Sequence, residues 1–169
     1  MPHHDDRENR KDLGKEHPWG DRGQVLFFVV FLAVWILDSF ILRISTFLAN
    51  YIPLWVTLPI AGIMIIGAAY FIRKAEETVF KEIRDPPRVI NSGVFARVRH
   101  PMYLGTILFL LALGVATCSL FSLAVWGLMF VFFDRIAAFE EQDLEQIFGQ
   151  EYVEYKRIVP KWIPRLRRA

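Results

Sequence analysis

An arginine, a histidine and a proline in succession form the most chemically distinctive stretch of the sequence. Arg99, His100 and Pro101 are followed by Tyr103 at the start of a long apolar block. Proline suits the first turn of a helix, and the free N–H groups of that turn favour an anion. The arginine and the histidine add charge and hydrogen-bonding capacity beside it. The pattern is compatible with an ordinary basic membrane anchor or with an anion-binding site at a membrane surface.

Two adjacent glutamates, Glu140 and Glu141, follow the next apolar block along the chain. If that block continues as a helix, Glu140 falls inside the apolar arc that includes Phe148, and Glu141 falls at its edge. A carboxylate on an apolar face near a membrane is costly unless it is paired. Arg99, Arg135 or a positively charged ligand would supply the partner. A solvated acidic helix start is the simpler alternative.

Two other ionisable features have simpler interpretations. Asp38 lies within the first apolar block, and acids inside a membrane are functional candidates by default. It is close to the outer end, so we expect it to reach the interface or to pair with Arg43. Asp134 and Arg135 are adjacent at the end of the fourth block, where an anchor is the ordinary interpretation. These features are left out of the site, except for Arg135, which returns below.

Four apolar blocks must position these side chains, at 24–42, 53–72, 103–116 and 120–133. The first two approach the ~20 residues with which a helix crosses a bilayer core. The last two are shorter, which predicts a tight helical hairpin through a narrow or thinned region. In lipid the backbone forms helices or closed barrels, and the alternation typical of barrels is absent. The sequence therefore predicts an all-α, multi-pass transmembrane protein with about four membrane helices.

The composition supports a membrane protein and excludes several other classes. The 169 residues suffice for one domain; 54% are hydrophobic, and the mean hydropathy is +0.30. A net charge of +2 does not indicate nucleic acid as a partner. A single cysteine, Cys118, excludes an internal disulfide and a cysteine-cluster metal site. His3 and His4 have no further ligands at a suitable spacing, so no metal site is predicted, and the first 23 residues lack a signal-peptide pattern.

The distribution of lysine and arginine predicts the orientation. These residues are concentrated in the N-terminal arm, the middle connector and the tail, whereas the first connection carries Arg43 alone and the third carries none. The positive-inside rule then places both termini in the cytoplasm, in a cell or inner membrane. The predicted parts are a charged arm (1–23), two transmembrane helices (24–72), and a connector, hairpin and tail that carry the site (73–169).

These elements together resemble the isoprenylcysteine carboxyl methyltransferase family and its phospholipid methyltransferase relatives. The family signature is an aromatic residue after a turn, then RHPxY, an apolar hairpin, paired glutamates, and FGxxYxxY with later prolines. The matching segments, all in the C-terminal half, are 89–95, 99–105, 140–141, 148–155, Pro160 and Pro164.

The resemblance implies an integral-membrane enzyme that uses S-adenosylmethionine and releases S-adenosylhomocysteine. The cofactor would lie at the cytoplasmic side over the hairpin, with a C-terminal segment helping to bind it. Phe95 stands where a tyrosine is commoner in the family. The residues that the resemblance assigns to the cofactor are Val89, Ile90, Phe95, His100, Pro101, Met102, Tyr103, Leu104 and Glu140.

Three further residues are candidates for the chemistry itself. Arg99 lies beside the anion site, and Glu141 is the first candidate base if the acceptor is an amine. The family associates an arginine before the glutamate pair with the acceptor. Arg135 is the nearest match, one residue further from Glu140 than is usual.

The acceptor remains open between an isoprenylcysteine-type carboxylate, a phospholipid amine, and a small thiol or isoprenoid acid. The resemblance implies a lipophilic or lipidated acceptor and contact with membrane lipids, and it does not predict an oligomeric state. A small-molecule transporter and a non-catalytic membrane scaffold are the alternatives of another class. A Gly-rich strand–turn–helix fingerprint is absent, which excludes the soluble dinucleotide-fold design.

Overall fold

A computed structural model describes residues 20–81 and 88–165. Most of the charged arm, with His3 and His4, lies outside these residues. Within the described residues the protein is helical and contains no strand, which confirms the all-α prediction. The elements are α1 (Gly20–Ile36), a π-helical extension (Leu37–Leu42), a 3₁₀ turn (Phe47–Asn50), α2 (Leu54–Lys81), α3 (Pro101–Thr117), α4 (Leu120–Phe148) and α5 (Gln150–Ile158).

Three segments of the described chain are long and apolar enough to cross a membrane: Arg22–Leu42, Leu54–Lys81 and Leu120–Phe148. Helix α3 is also apolar but has only 17 residues. The two arms of the predicted hairpin are therefore unequal, with 17 residues in α3 and 29 in α4. Helix α4 continues past the apolar run that ends at residue 133, and the acidic side chains Asp134 and Glu141 that follow have partners on other elements.

The helices pack in a defined order, with α2 against α3, α3 against α4, and α4 against α1. Gly105 allows the closest approach between α2 and α3. A Cβ atom there would lie 2.9 Å from the carbonyl oxygen of Ala68 and 2.5 Å from a side-chain carbon of Ile72. The main buried cluster lies between α1, α3 and α4 and consists of Phe31, Ile107, Leu110, Met129 and Phe133.

Sharp turns end α3 and α4. Cys118 has φ +53° and joins α3 to α4, and the Ser119 side chain caps α4 by accepting a hydrogen bond from the N–H of Ser122. Gly149, with φ +55°, ends α4. A left-handed conformation costs a glycine little. The reversal there returns α5 toward the residues before α3.

The Asp38 side chain forms no ion pair with Arg43 within the described residues, so the expected pairing is wrong. Its side chain is buried and accepts hydrogen bonds from the N–H of Ser45 at 2.9 Å and from the hydroxyls of Ser45 and Ser119. The Ser45 hydroxyl in turn accepts from the N–H of Phe121. Local hydroxyl and amide donors satisfy the carboxylate better than an exposed arginine would. Asp38 thus joins the end of the first membrane segment to the α3–α4 turn.

Candidate active site

The carboxylate of Glu141 is the centre of a buried ionic cluster at the start of α3. Its Oε1 accepts from Arg99 Nε and from His100 Nε2, both at 2.9 Å. Its Oε2 lies 3.4 Å from Lys156 Nζ, so elements from three parts of the chain meet on one side chain. Because the carboxylate accepts, His100 carries a proton on Nε2. We expected Arg99 as a possible partner of Glu140. In the structure Arg99 pairs with the neighbouring Glu141 instead.

Arg99 also fastens the tail to this cluster. Its Nη1 donates to the carbonyl oxygens of Val159 at 2.6 Å and Lys156 at 3.2 Å, and its backbone N–H donates to that of Pro160 at 3.0 Å. An arginine that reaches a carboxylate and the carbonyls at the end of α5 fixes both elements at once. Arg99 thus holds α4 and the end of α5 together at this site.

Glu140 faces a second, more accessible part of the site. It accepts a hydrogen bond from the hydroxyl of Tyr103, and its Oε2 lies 3.8 Å from His100 Nδ1. The Glu140 side chain is 20% exposed, against 6% for Glu141. The rings of His100 and Tyr103 are nearly parallel, with centroids 5.7 Å apart. A ligand at this surface would meet an acid and two flat rings.

The segment before α3 packs against α5 through Val89 and Phe95. Val89 is buried with Tyr152, Tyr155 and Val159, and its N–H lies 3.3 Å from a carboxylate oxygen of Glu151. The Tyr155 hydroxyl donates to the carbonyl oxygen of Phe95 at 2.7 Å.

Burial sets the protonation of the two α5 tyrosines. It raises the pKa of both Tyr152 and Tyr155, and the negative charge of Glu141 adds to the rise. Both phenols therefore stay protonated at physiological pH, and Tyr155 remains a donor to the connector. These residues hold the connector in place.

The remaining predicted residues lie around this cluster with different exposures. Pro101 is the buried first residue of α3, whereas Met102 is 37% exposed and Leu104 and Ile90 are half-buried. Arg135 is exposed, and it forms no ion pair with any described residue. The structure therefore brings together Arg99, His100, Tyr103 and both glutamates, and leaves Arg135 outside the cluster.

Sequence reasoning missed four residues that complete the site: Asp134, Lys156, Lys161 and Trp162. Lys156 joins Glu141 and Glu145, and hydrogen bonding to Glu145 raises the pKa of Lys156. In the sequence Lys156 lies between Tyr155 and Pro160, where it resembles an ordinary solvated lysine. Only the return of α5 onto α4 reveals its partners.

Comparison with known proteins agrees with the resemblance seen in the sequence. The sequence profile of the phospholipid methyltransferase family matches residues 25–151. Protein-S-isoprenylcysteine O-methyltransferase of Homo sapiens is 31% identical over 121 residues, covering 63% of this chain and 41% of the relative. The corresponding protein B of Arabidopsis thaliana is 33% identical over 82 residues, covering 46% and 40%.

A relative with a different acceptor is also similar. Methanethiol S-methyltransferase 1 of Bradyrhizobium diazoefficiens is 38% identical over 79 residues, covering 47% of this chain and 27% of the relative. Each match thus spans less than half of the relative's own length. The family profile, by contrast, covers most of this chain, including the start of α3 and the glutamate pair. The chain belongs to the phospholipid methyltransferase family.

Proposed function

We propose that this protein is an integral-membrane methyltransferase that transfers a methyl group from S-adenosylmethionine to a lipophilic acceptor. One observation carries the proposal: His100 and the two glutamates, far apart in sequence, meet at the start of α3, with His100 Nε2 2.9 Å from Glu141 Oε1. The three candidate membrane segments and the names of the relatives support it.

The chemistry of the residues fits such a cofactor. When bound, S-adenosylmethionine supplies an electrophilic methyl group on a positively charged sulfur. The Glu140 carboxylate and the face of Tyr103 favour a cation. The N–H groups of the first turn of α3 suit the cofactor's carboxylate. Val89, Ile90 and Phe95 would supply the apolar surface for its adenine.

The surroundings of Glu141 argue for a positioning role instead of the base role expected from the sequence. Its two oxygens already face Arg99, His100 and Lys156. A carboxylate held by such donors is a weak base, because the donors stabilise its charged form. Glu141 fixes His100, and His100 and Tyr103 then fix the surface on which the donor is aligned. Alignment is what an in-line displacement chiefly requires.

A carboxylate acceptor therefore fits the site best, since it brings its own lone pair and no side chain has to remove a proton. The names of the isoprenylcysteine relatives specify transfer to an oxygen atom, which agrees with this acceptor. A thiol is the second candidate, favoured by the methanethiol relative, because a thiol with a pKa of about 8.5 loses its proton more readily than an ammonium group with a pKa of about 10.4. The acceptor would reach the site from the bilayer, with the charged cluster and both termini on the cytoplasmic side.

Calorimetric titration of the detergent-solubilised protein with S-adenosylhomocysteine tests the proposal. We expect binding by the unaltered protein, loss of binding in Glu140→Ala and His100→Ala, and unchanged binding in Gln142→Ala, which alters an exposed residue next to the glutamate pair. Incubation with isotopically labelled donor and mass spectrometry of the membrane lipids would then identify the acceptor. An unaltered protein that binds no S-adenosylhomocysteine would overturn the proposal.

A further inference from the structure

We propose that Asp134 is a positioning residue that holds Trp162 against His100, so that the indole ring forms one wall of the donor site. Residues 160–165, here called the strap, run past the start of α3. The inference rests on the proposed function, because it assigns a part of the site proposed there. Neither Asp134 nor Trp162 belongs to the set that the sequence motifs single out.

Asp134 forms the hydrogen bonds that join α4 to the middle of the strap, and Phe130 adds a ring contact to Trp162. Asp134 Oδ1 accepts a hydrogen bond from Trp162 Nε1 at 2.8 Å and from Lys161 Nζ at 2.7 Å. Lys161 Nζ also donates to the backbone carbonyl of Asp134 at 2.9 Å, and the lysine side chain is only 18% exposed. One carboxylate thus binds two consecutive strap residues, which fixes the strap's rotation as well as its distance from α4.

Backbone hydrogen bonds hold the two ends of the strap. The N–H of Arg99 donates to the carbonyl of Pro160, and the N–H of Arg165 donates to the carbonyl of Arg97, each at 3.0 Å. The strap therefore lies along the residues that precede α3. These bonds fix the main chain but leave the direction of the Trp162 side chain undetermined. The hydrogen bond to Asp134 supplies that direction.

The indole ring of Trp162 connects the buried core to His100. Its centroid lies 5.4 Å from that of Phe130 and 5.9 Å from that of His100. His100 is next to Tyr103, whose hydroxyl binds Glu140. Trp162 thus places an aromatic face beside His100, the ring that is next to Tyr103 and Glu140. Indole faces attract cations more strongly than other aromatic side chains do, which suits a sulfonium ligand.

The test compares donor and acceptor kinetics in substituted full-length protein. Asp134→Ala should raise the dissociation constant for S-adenosylmethionine and the KM for the donor about tenfold, the equivalent of one lost hydrogen bond. The KM for the acceptor should stay unchanged. Trp162→Phe keeps a ring but loses the N–H, so it should show the same split, and the double variant should be no worse than either single one. Glu76→Gln, an exposed acid on α2, is the charge-matched control.

The outcomes separate this inference from the function on which it rests. Three outcomes would overturn the role of Asp134 without affecting the proposed methyltransferase function. They are equal changes in the KM values for donor and acceptor, unaltered donor binding in Asp134→Ala, and additive effects of the two substitutions. No binding by the unaltered protein would overturn both. If Asp134→Ala does not fold, Trp162→Phe carries the same comparison alone.

Discussion

Glu140 and Glu141 are neighbours in the sequence, but their carboxylates have different surroundings. Glu141 is buried among Arg99, His100 and Lys156, whereas Glu140 is partly exposed and binds Tyr103. Successive helical residues point about 100° apart, so one faces the tail and the other faces the surface beside His100. The two acids should therefore contribute differently, one to stability and the other to ligand binding.

Replacement of Glu141 by glutamine should lower the free energy of unfolding by about 3 kcal/mol, because Arg99 and Lys156 lose their buried counter-charge. Denaturation in mixed micelles measures the change. Gln142→Ala, at the exposed position that follows, is the matched control. A loss no greater than that of an ordinary surface substitution would show that the ionic cluster contributes little.

Replacement of Tyr103 by phenylalanine should weaken binding of S-adenosylhomocysteine about fivefold while leaving the folded protein intact. The substitution keeps the ring beside His100 and removes only the hydroxyl that donates to Glu140. Calorimetric titration measures the affinity, and the thermal midpoint serves as the check on folding. Unchanged affinity would mean that Tyr103 does not orient Glu140 toward the ligand.

The sequence predicted some residue partners and missed others for a physical reason. Arg99 was expected as a partner of a helical glutamate because a carboxylate on an apolar face demands a cation. Lys156 lies among polar residues and Asp134 is adjacent to Arg135, so neither position indicated a distant partner in the sequence. Their contacts depend on where the chain reverses at Gly149 and on where the strap returns. Such contacts follow from tertiary geometry and not from residue type.

At the scale of the helices, the pair α2 and α3 depends on Gly105. A methyl group there would lie 2.9 Å from a rigid backbone oxygen of Ala68, so the helices would have to separate. Gly105→Ala should therefore destabilise the protein by about 1–3 kcal/mol, the range for overpacking. Gly127→Ala in α4 is the control, because no atom lies within 4 Å of the added Cβ.

Gly127→Ala should leave stability unchanged or raise it, since alanine favours a helix by about 1 kcal/mol over glycine. The two substitutions add the same methyl group to two apolar helices. Thermal unfolding in detergent distinguishes them. Equal midpoints for both variants would show that α2 and α3 can adjust their separation without cost.

The helix boundaries show where hydropathy is informative and where it fails. The first two apolar blocks predicted membrane-length helices, and Arg22–Leu42 and Leu54–Lys81 are such segments. The fourth apolar block ends at residue 133, whereas α4 continues to Phe148. Asp134 and Glu141 in the continuation pair with Lys161 and Arg99. Hydropathy thus marks the apolar part of α4 and not the end of the helix.

At the scale of the whole molecule, two polar clusters mark opposite ends of α4. Asp38 with Ser45 and Ser119 lies at its start, and the Glu141 cluster lies near its end. Asp38→Ala should cost about 2 kcal/mol of stability, because the buried hydroxyls and an N–H lose their acceptor. Binding of S-adenosylhomocysteine per folded molecule should be unchanged, as measured by titration. Weaker binding would mean that the two ends are coupled.

Asp38→Asn is the companion variant, because it retains an acceptor oxygen while removing the charge. We expect it to leave methyl transfer largely intact, as a residue remote from the donor site should. If Asp38→Asn abolishes turnover while His100→Ala does not, the active site lies at the Asp38 end of the molecule and not at the start of α3.

The orientation in the membrane can be tested because the two ends are chemically distinct and the chain has one cysteine. In a Cys118→Ser background, Asn50→Cys reports on the α1–α2 connection, and Gln146→Cys reports on the far end of α4; both positions are exposed. The positive-inside rule predicts that the basic connector and tail lie on the cytoplasmic side. An impermeant maleimide should therefore label Asn50→Cys in intact cells and Gln146→Cys only in inverted vesicles. Reversed labelling would place the Glu141 cluster outside the cell, away from S-adenosylmethionine, and would leave the proposed enzyme without its donor.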